Sequence, residues 1–171
     1  IAAIQVVGCE HAEILIGLVS MQKGLMRGVD GLAQNVVLLE SLLKDARTRN
    51  REIHIVNADI AKAFDTVSHN VISAIMRARG WPVALTRYIE SLYATSCTSI
   101  GGRPVTRCCR GVRQGDPLSS TLFNIVMDHI LKAVPTRVGY IHQGRRWTCM
   151  AFADDVVLIS SSRAGMTALT G

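Results

Sequence analysis

The sequence of 171 residues contains 49% hydrophobic and 19% charged residues, which excludes a disordered chain and is enough for one hydrophobic core. Nineteen Lys and Arg against thirteen Asp and Glu give a net charge of +6 and a pI of about 9.4. This balance favours a polyanionic partner over a small acidic metabolite, although a merely soluble basic surface would have the same charge.

The sequence contains five cysteines, which are Cys9, Cys97, Cys108, Cys109 and Cys149. They predict neither a zinc site nor a disulfide framework, because they show no C-x-x-C spacing and no histidine at finger spacing. Reduced thiols of this kind are typical of intracellular proteins.

The apolar start of the chain is interrupted by charged residues, so no membrane span is expected. The chain begins with Ile1 rather than Met, and we expect it to be a piece of a larger protein. We assign no role to residues 1–20.

The first clear element is an amphipathic helix that Asp30 caps and that ends near Arg49 and Asn50. The segment before it, MQKGLMRGVDG, places Lys23 and Arg27 among three glycines, which predicts either a close approach to a phosphate or a flexible loop. The helix is expected to cover a sheet with apolar residues at three- and four-residue spacing. These are Leu32, Val36, Leu39, Leu43 and Ala46.

An acidic residue ends the next element. Ile53, Ile55 and Val56 predict a strand that runs directly into Asp59, whose carboxylate would reach over the rim of a sheet. Phe64 follows five positions later. Beside a metal-bound nucleotide, a bulky ring there would exclude a 2′-hydroxyl by sterics; otherwise it is one more core aromatic.

Two helices are predicted next. The first runs from about Asn70 to Arg79 and stops at Gly80, and the second runs from Pro82 to Ala94. The apolar face of the second helix is expected to pack in the core. It consists of Leu85, Tyr88, Ile89 and Leu92.

A hairpin over residues 96–109, around Gly101-Gly102, precedes a long helix that Asp116 caps and Pro117 opens. The loop between them contains Arg113 and Gln114 next to glycines, an arrangement that favours an anionic or base-and-sugar ligand at a helix N-terminus. The predicted buried stripe of the long helix is Leu118, Leu122, Ile125, Val126, Ile130 and Val134.

The stretch Trp147–Ser160, WTCMAFADDVVLIS, predicts strand, tight turn and strand, with Asp154 and Asp155 at the turn. Adjacent carboxylates repel one another, which a solvated loop or a divalent cation relieves. Simple turn chemistry is the alternative, because Asp is a preferred turn residue. If the fold brings Asp59 to this turn, the oxygen-rich set suits Mg²⁺. Two such ions, about 3.5–4 Å apart, would support an in-line phosphoryl displacement.

Three motifs, DIAKAFD from Asp59, RGVRQGDPLS from Arg110 and AFADD from Ala151, occur in the order of the first three palm motifs of reverse transcriptases, which they resemble. More narrowly, AKAFDTVSH, RQGDPLS and FADD resemble the enzymes of non-long-terminal-repeat (LINE-type) retrotransposons. The run from LFNIVMD to VPTRVGY is most similar to the branch that inserts into ribosomal RNA genes. QKGL and VDG resemble the segment before the palm, so the similarity covers about Gln22 to Ser162.

This resemblance implies an α+β fold, a polymerase palm with a small antiparallel sheet backed by helices and with partial fingers. Residues 1–50 would be partial fingers or an N-terminal segment, and residues 51–171 the palm core, with a fingers-type insertion at about 70–113. It further implies that Asp59, Asp154 and Asp155 are the catalytic metal-binding triad, assisted by the Ile60 carbonyl. The cofactor would be two Mg²⁺ ions, with Mn²⁺ as a substitute.

The resemblance also implies contacts to the incoming deoxynucleotide and to nucleic acid. The nucleotide would meet Lys62, Ala63, Phe64, Gln114 and Gly115. Arg110 and Arg113 would hold nucleic-acid phosphates.

The implied activity is RNA-directed DNA synthesis by nucleotidyl transfer from a dNTP. The implied partners are an RNA template and a DNA primer or target DNA, and the implied location is the nucleus. The chain departs from the family pattern at Ser120, where relatives usually have proline, and residues 1–20 lack the clear basic fingers motif. Two alternatives stand beside this interpretation. One is an RNA-dependent RNA polymerase palm, and the other is a truncated or inactive copy that only binds RNA or serves as a scaffold.

Overall fold

The computed structural model describes residues 21–25, 28, 30–100, 103–113 and 115–171, with the backbone alone at 97–100, 103–107 and 117. A small antiparallel sheet combined with helices confirms the predicted α+β class. The described residues divide into two compact units, one of residues 62–126 and the other of residues 21–61 together with 127–171. The boundaries of these units differ from those of the predicted domains.

The elements follow one another as α1 (Gly31–Thr48), β1 (His54–Asp59), α2 (Ala63–Thr66), α3 (His69–Ala78), α4 (Val83–Ala94), β2 (Cys97–Ile100), β3 (Arg103–Arg107), α5 (Pro117–Ala133), a 3-10 turn (Thr136–Val138), β4 (Tyr140–His142), β5 (Arg145–Trp147), β6 (Cys149–Phe152), β7 (Asp155–Ser160) and α6 (Arg163–Thr170).

The structure confirms the predicted helices α1, α3, α4 and α5 and the hairpin β2–β3, although the Gly101-Gly102 turn lies outside the described residues. Both predicted caps are present. The Asp30 carboxylate accepts a hydrogen bond from the Ala33 amide at 3.2 Å, and the Asp116 carboxylate accepts one from the Leu118 amide at 2.9 Å. These bonds satisfy amide groups that the first turn of a helix leaves without an intrahelical partner.

The central feature of one unit is a three-stranded antiparallel sheet with the order β1-β7-β6. The β1–β7 register runs from His54 opposite Ser160 to Asp59 opposite Asp155. The predicted hairpin is therefore confirmed over residues 149–160. Trp147 was wrongly included in it, because Trp147 pairs with Tyr140 in a separate ribbon formed by β4 and β5.

Helix α1 packs on this sheet, as predicted, and the predicted Ala46 and Leu39 take part in the contact. The buried cluster consists of Leu42, Ala46, Tyr140, Met150 and Ile159. The predicted Leu32 and Val36 are instead 59% and 48% exposed. Apolar residues lie on several sides of α1, so the sequence pattern alone does not determine which of them are buried. Contact with the strands places Leu42 in the core.

One position of the predicted face is wrong in each of the other two long helices. Tyr88 on α4 is 40% exposed, whereas Tyr93 is buried and its ring stacks on His69 with centroids 4.2 Å apart. Ile130 on α5 is 48% exposed, whereas the neighbouring Leu131 is buried. The other predicted core positions are confirmed where they are buried, at Ile89 on α4 and at Leu122, Ile125 and Val126 on α5.

A polar cluster ties α1 to β4. The Tyr140 hydroxyl donates to Asp45 Oδ2 at 2.8 Å, and Arg49 Nε lies 2.8 Å from Asp45 Oδ1. His142 Nδ1 lies 3.4 Å from the same carboxylate, and its Nε2 lies 2.9 Å from Ser41 Oγ. The hydrogen bond from Tyr140 is the main cause that holds the pKa of Asp45 below its usual value of 3.8. Burial, followed by the nearby Asp45, raises the pKa of Tyr140.

None of the helices in the described part of the chain is both long and apolar enough to cross a membrane.

Candidate active site

The end of the β1–β7 ladder places two of the predicted catalytic aspartates side by side. Asp59 is the last residue of β1 and pairs directly with Asp155, the first residue of β7. Directly opposed residues of an antiparallel pair point to the same face, with Cβ atoms about 4.5–5.5 Å apart. Both side chains are exposed. The strand register thus joins acidic residues that are distant in the sequence.

The third predicted aspartate lies in the adjoining turn. Because Phe152 pairs with Asp155, only Ala153 and Asp154 connect β6 to β7. Ala153 has a φ of +55°, a left-handed conformation that favours glycine, and Asp154 is half-buried. Ile60, whose carbonyl was assigned to the metal, directly follows Asp59 and is also half-buried.

Among the described residues, the three aspartates occupy neighbouring backbone positions without a compensating cation. In the described part of the chain, no Lys, Arg or His forms an ion pair with Asp59, Asp154 or Asp155. Carboxylates brought together from these positions would repel one another, and a divalent cation would relieve the repulsion. Their oxygens are the ligands that Mg²⁺ prefers. The set therefore has the donor chemistry and the missing countercharge that a Mg²⁺ site requires.

The carboxylates are not gathered into a finished site. Within the described ranges, no three His, Cys, Asp or Glu side chains lie close enough together to hold a metal ion. Exposed side chains change rotamer within picoseconds to nanoseconds, so the exposed Asp59 and Asp155 are able to turn towards a cation. The backbone pairing fixes the Cα positions of Asp59 and Asp155. The side-chain rotamers determine where the carboxylate oxygens lie.

A buried glutamine behind the turn is a site residue that the sequence interpretation missed. Gln22 is 1% exposed, and its Nε2 donates to the Ala153 carbonyl at 2.9 Å. Its Oε1 accepts from the Ala153 amide at 3.0 Å and from the Gly24 amide at 2.8 Å. The sequence interpretation considered this segment only as a phosphate-binding or flexible loop. The available signal was the resemblance of QKGL to the segment before the palm.

Three of the residues predicted to contact the nucleotide follow β1 in the chain, namely Lys62, Ala63 and Phe64. They belong to the unit of residues 62–126. Lys62 is exposed and left-handed, with a φ of +52°, and it directly precedes α2. Ala63 is buried. The half-buried Phe64 stacks on Phe123 with ring centroids 4.3 Å apart, and its carbonyl accepts from the Val112 amide at 2.8 Å. Phe64 therefore has a packing role, and part of its surface remains accessible.

The second predicted nucleotide segment is described only in part. Gln114 lies outside the described residues, and Gly115 is exposed with a φ of +83°. Arg113 donates from Nη2 to Ser96 Oγ at 2.8 Å, so this guanidinium helps hold its own loop. Arg110 is exposed and lines a cavity of about 330 Å³ together with Arg113. The contact of these two arginines with nucleic-acid phosphates stays a prediction.

Comparison with known proteins gives relatives along almost the whole chain. Residues 18–170 match the family described as reverse transcriptase (RNA-dependent DNA polymerase). The retrovirus-related Pol polyprotein from type-1 retrotransposable element R2 of Nasonia vitripennis is 37% identical over 157 residues, covering 89% of this chain and 15% of that protein. The corresponding polyprotein from element R2DM of Drosophila melanogaster is 36% identical over 152 residues, covering 86% of this chain and 14% of that protein.

A solved structure supports the same fold. Apo telomerase from Candida tropicalis, truncated from the C-terminal domain, aligns with a TM-score of 0.62 at 12% identity. The alignment covers 94% of this chain and 35% of that one.

The matched polyproteins also confirm the predicted similarity to LINE-type retrotransposon proteins, and this chain spans about one seventh of their length. The chain therefore belongs to the reverse transcriptase (RNA-dependent DNA polymerase) family.

Proposed function

We propose that this chain supplies the catalytic palm of a retrotransposon RNA-directed DNA polymerase, which transfers nucleotides from dNTPs to a primer 3′-hydroxyl. The observation that supports this most strongly is the direct pairing of Asp59 with Asp155, next to Asp154 in the adjoining turn. The family match makes polymerisation the expected chemistry of such a cluster.

Asp59 and Asp154 would hold two Mg²⁺ ions, with Mn²⁺ as a substitute, and Asp155 would act as a further ligand or a support. The Ile60 carbonyl would complete the oxygen set. When bound, such ions promote attack by the 3′-hydroxyl on the α-phosphate and neutralise the pyrophosphate that leaves. The aspartates themselves orient the reacting groups and place negative charge where the cations are needed, so catalysis is mainly positioning and electrostatics.

The residues of the 62–126 unit are proposed to bind the substrates. The backbone at Lys62 and Ala63 would meet the triphosphate, and the accessible part of the Phe64 ring would exclude a 2′-hydroxyl. The loop of Gln114 and Gly115 would contact the nucleotide.

Arg110 and Arg113 would hold phosphates of the RNA template or the DNA primer without reading sequence. The net charge of +6 agrees with a nucleic-acid partner. Synthesis on chromosomal DNA would take place in the nucleus.

Primer extension by the full-length protein that contains this chain tests the proposal. Asp154→Asn and Asp155→Asn should each abolish dNTP incorporation on an RNA template while leaving RNA binding within about twofold, because the change removes ligand charge and not phosphate contacts. Glu40→Gln, which removes an exposed carboxylate on α1, is the matched control and should leave extension unchanged. Undiminished extension in both aspartate variants would overturn the assignment.

The same assay separates DNA synthesis from RNA synthesis. Parallel reactions with deoxynucleotides and ribonucleotides should show a preference for deoxynucleotides, because a half-buried Phe64 ring anchored on Phe123 is a rigid obstacle to a 2′-hydroxyl. A preference for ribonucleotides would favour the RNA-dependent RNA polymerase alternative.

A further inference from the structure

We propose that Gln22 is a positioning residue for the metal-binding carboxylates. Its buried amide holds the Ala153–Asp154 turn in the conformation that keeps Asp154 beside the paired Asp59 and Asp155. This inference rests on the proposed function, because it takes those carboxylates to be metal ligands.

The first step in the argument is that the Gln22 amide binds both polar groups of one turn residue. Nε2 donates to the Ala153 carbonyl at 2.9 Å, and Oε1 accepts from the Ala153 amide at 3.0 Å. Both atoms of the side-chain amide are used, and the side chain is 1% exposed. Loss of this amide would leave buried backbone groups without a partner, at a cost of about 1–3 kcal/mol for each group.

The second step concerns the conformation that these bonds hold. Ala153 has a φ of +55°, where its Cβ is crowded, so the turn does not gain this shape from its own residue preferences. Asp154 is the other residue of this two-residue turn. A turn that relaxed to negative φ at Ala153 would redirect the Asp154 carboxylate, while Asp59 and Asp155 stayed paired through the ladder.

The third step is that Gln22 is itself fixed against the sheet. The Ala151 amide donates to the Met21 carbonyl at 2.8 Å, and the Lys23 amide donates to the Ala151 carbonyl at 3.0 Å. Gln22 thereby forms a parallel bridge with Ala151 of β6. Gly24 allows the close approach, because a Cβ there would lie 2.0 Å from the Ala153 nitrogen. This backbone pairing therefore fixes the position of the Gln22 side-chain amide next to the turn.

The experiment combines metal binding, stability and turnover. Mn²⁺ binding to the 171-residue chain is followed by electron paramagnetic resonance for the unmodified chain and for Gln22→Met, which is similar in length but cannot replace the amide. We expect Gln22→Met to weaken Mn²⁺ binding by about 10- to 100-fold, as is usual when a group that orients metal ligands is removed. Gln34→Met, at an exposed glutamine on α1, is the matched control and should bind Mn²⁺ normally.

A rescue variant distinguishes positioning from general stability. Ala153→Gly added to Gln22→Met should restore Mn²⁺ affinity at least in part, because glycine adopts positive φ without a Cβ penalty. In the full-length protein, Gln22→Met should lower kcat and raise the Mg²⁺ concentration for half-maximal rate, with KM for primer and template unchanged. A loss of stability alone would change neither the Mn²⁺ affinity of the folded fraction nor the Mg²⁺ dependence of the rate.

The outcomes separate the two proposals. Mn²⁺ affinity in folded Gln22→Met equal to that of the unmodified chain would overturn the positioning role while leaving the proposed function intact. Loss of binding that Ala153→Gly does not restore would also overturn it. If Gln22→Met does not fold, Gln22→Asn, which shortens the same amide by one methylene, is judged by the same criteria. Absence of Mn²⁺ binding in the unmodified chain would overturn both proposals.

Discussion

The same substitution at two positions of α1 tests which face of this helix supports the three-stranded sheet. Leu42 is fully buried in the cluster with Ala46, Tyr140, Met150 and Ile159, whereas Leu32 is 59% exposed. Leu42→Ala removes three carbons, worth about 2.4 kcal/mol at about 0.8 kcal/mol each, and leaves a cavity that raises the total to about 3–5 kcal/mol. Leu32→Ala should cost about 0.5 kcal/mol or less.

Urea denaturation followed by circular dichroism measures both free energies of unfolding on the same chain. The transition for Leu42→Ala should move to a clearly lower midpoint with an unchanged slope, because the change affects the native core more than the unfolded chain. Leu32→Ala serves as the internal control, because it has the same chemistry on the same helix. A loss of less than about 1 kcal/mol at Leu42, or a larger loss at Leu32 than at Leu42, would refute the packing described for α1.

Two further predictions concern the Tyr140–Asp45 hydrogen bond and the cysteines. Tyr140→Phe should reduce the free energy of unfolding at neutral pH and make its decline in acid shallower. The Tyr140 hydrogen bond lowers the pKa of Asp45 below 3.8, so its contribution is present above that pH and is lost as the pH falls through the lowered value. Urea titrations from neutral to acid pH would show this, and an unchanged acid decline would contradict it. Iodoacetamide should label the exposed Cys109 well before the buried Cys149, because burial raises the pKa of Cys149 and the thiolate is the nucleophile. Mass spectrometry of the native chain would show the order of labelling, and equal rates would mean that Cys149 is accessible.

Much of the site could be predicted from the sequence because its signals are local. The alternating apolar run before Asp59 and the two runs around Asp154-Asp155 specify strands and a turn. The direct pairing of Asp59 with Asp155 is a matter of strand register, which depends on tertiary packing and not on either segment alone. Here the resemblance in motif order, rather than periodicity, supplied the expectation that these acids meet.

The errors have a common physical cause in contacts between distant residues. Leu32 and Leu42 are equally apolar, and only the positions of Met150 and Ile159 decide which of them is buried. Gln22 is an even clearer case. A polar residue near glycines is typical of a loop, and its role depends on a turn that lies 131 positions further along the chain. A buried amide is recognisable only once its backbone partners are in place.

Calorimetric titration of this chain with Mg²⁺ tests the central claim most directly, namely that Asp59 and the Asp154-Asp155 turn share cations. The unmodified chain should bind Mg²⁺, and Asp59→Asn and Asp154→Asn should each weaken the affinity by more than about tenfold, since each removes a proposed ligand. Glu40→Gln should bind as the unmodified chain does. Equal Mg²⁺ affinity in Asp59→Asn and in the unmodified chain would contradict the account, because it would show that β1 contributes nothing to a metal site at the turn.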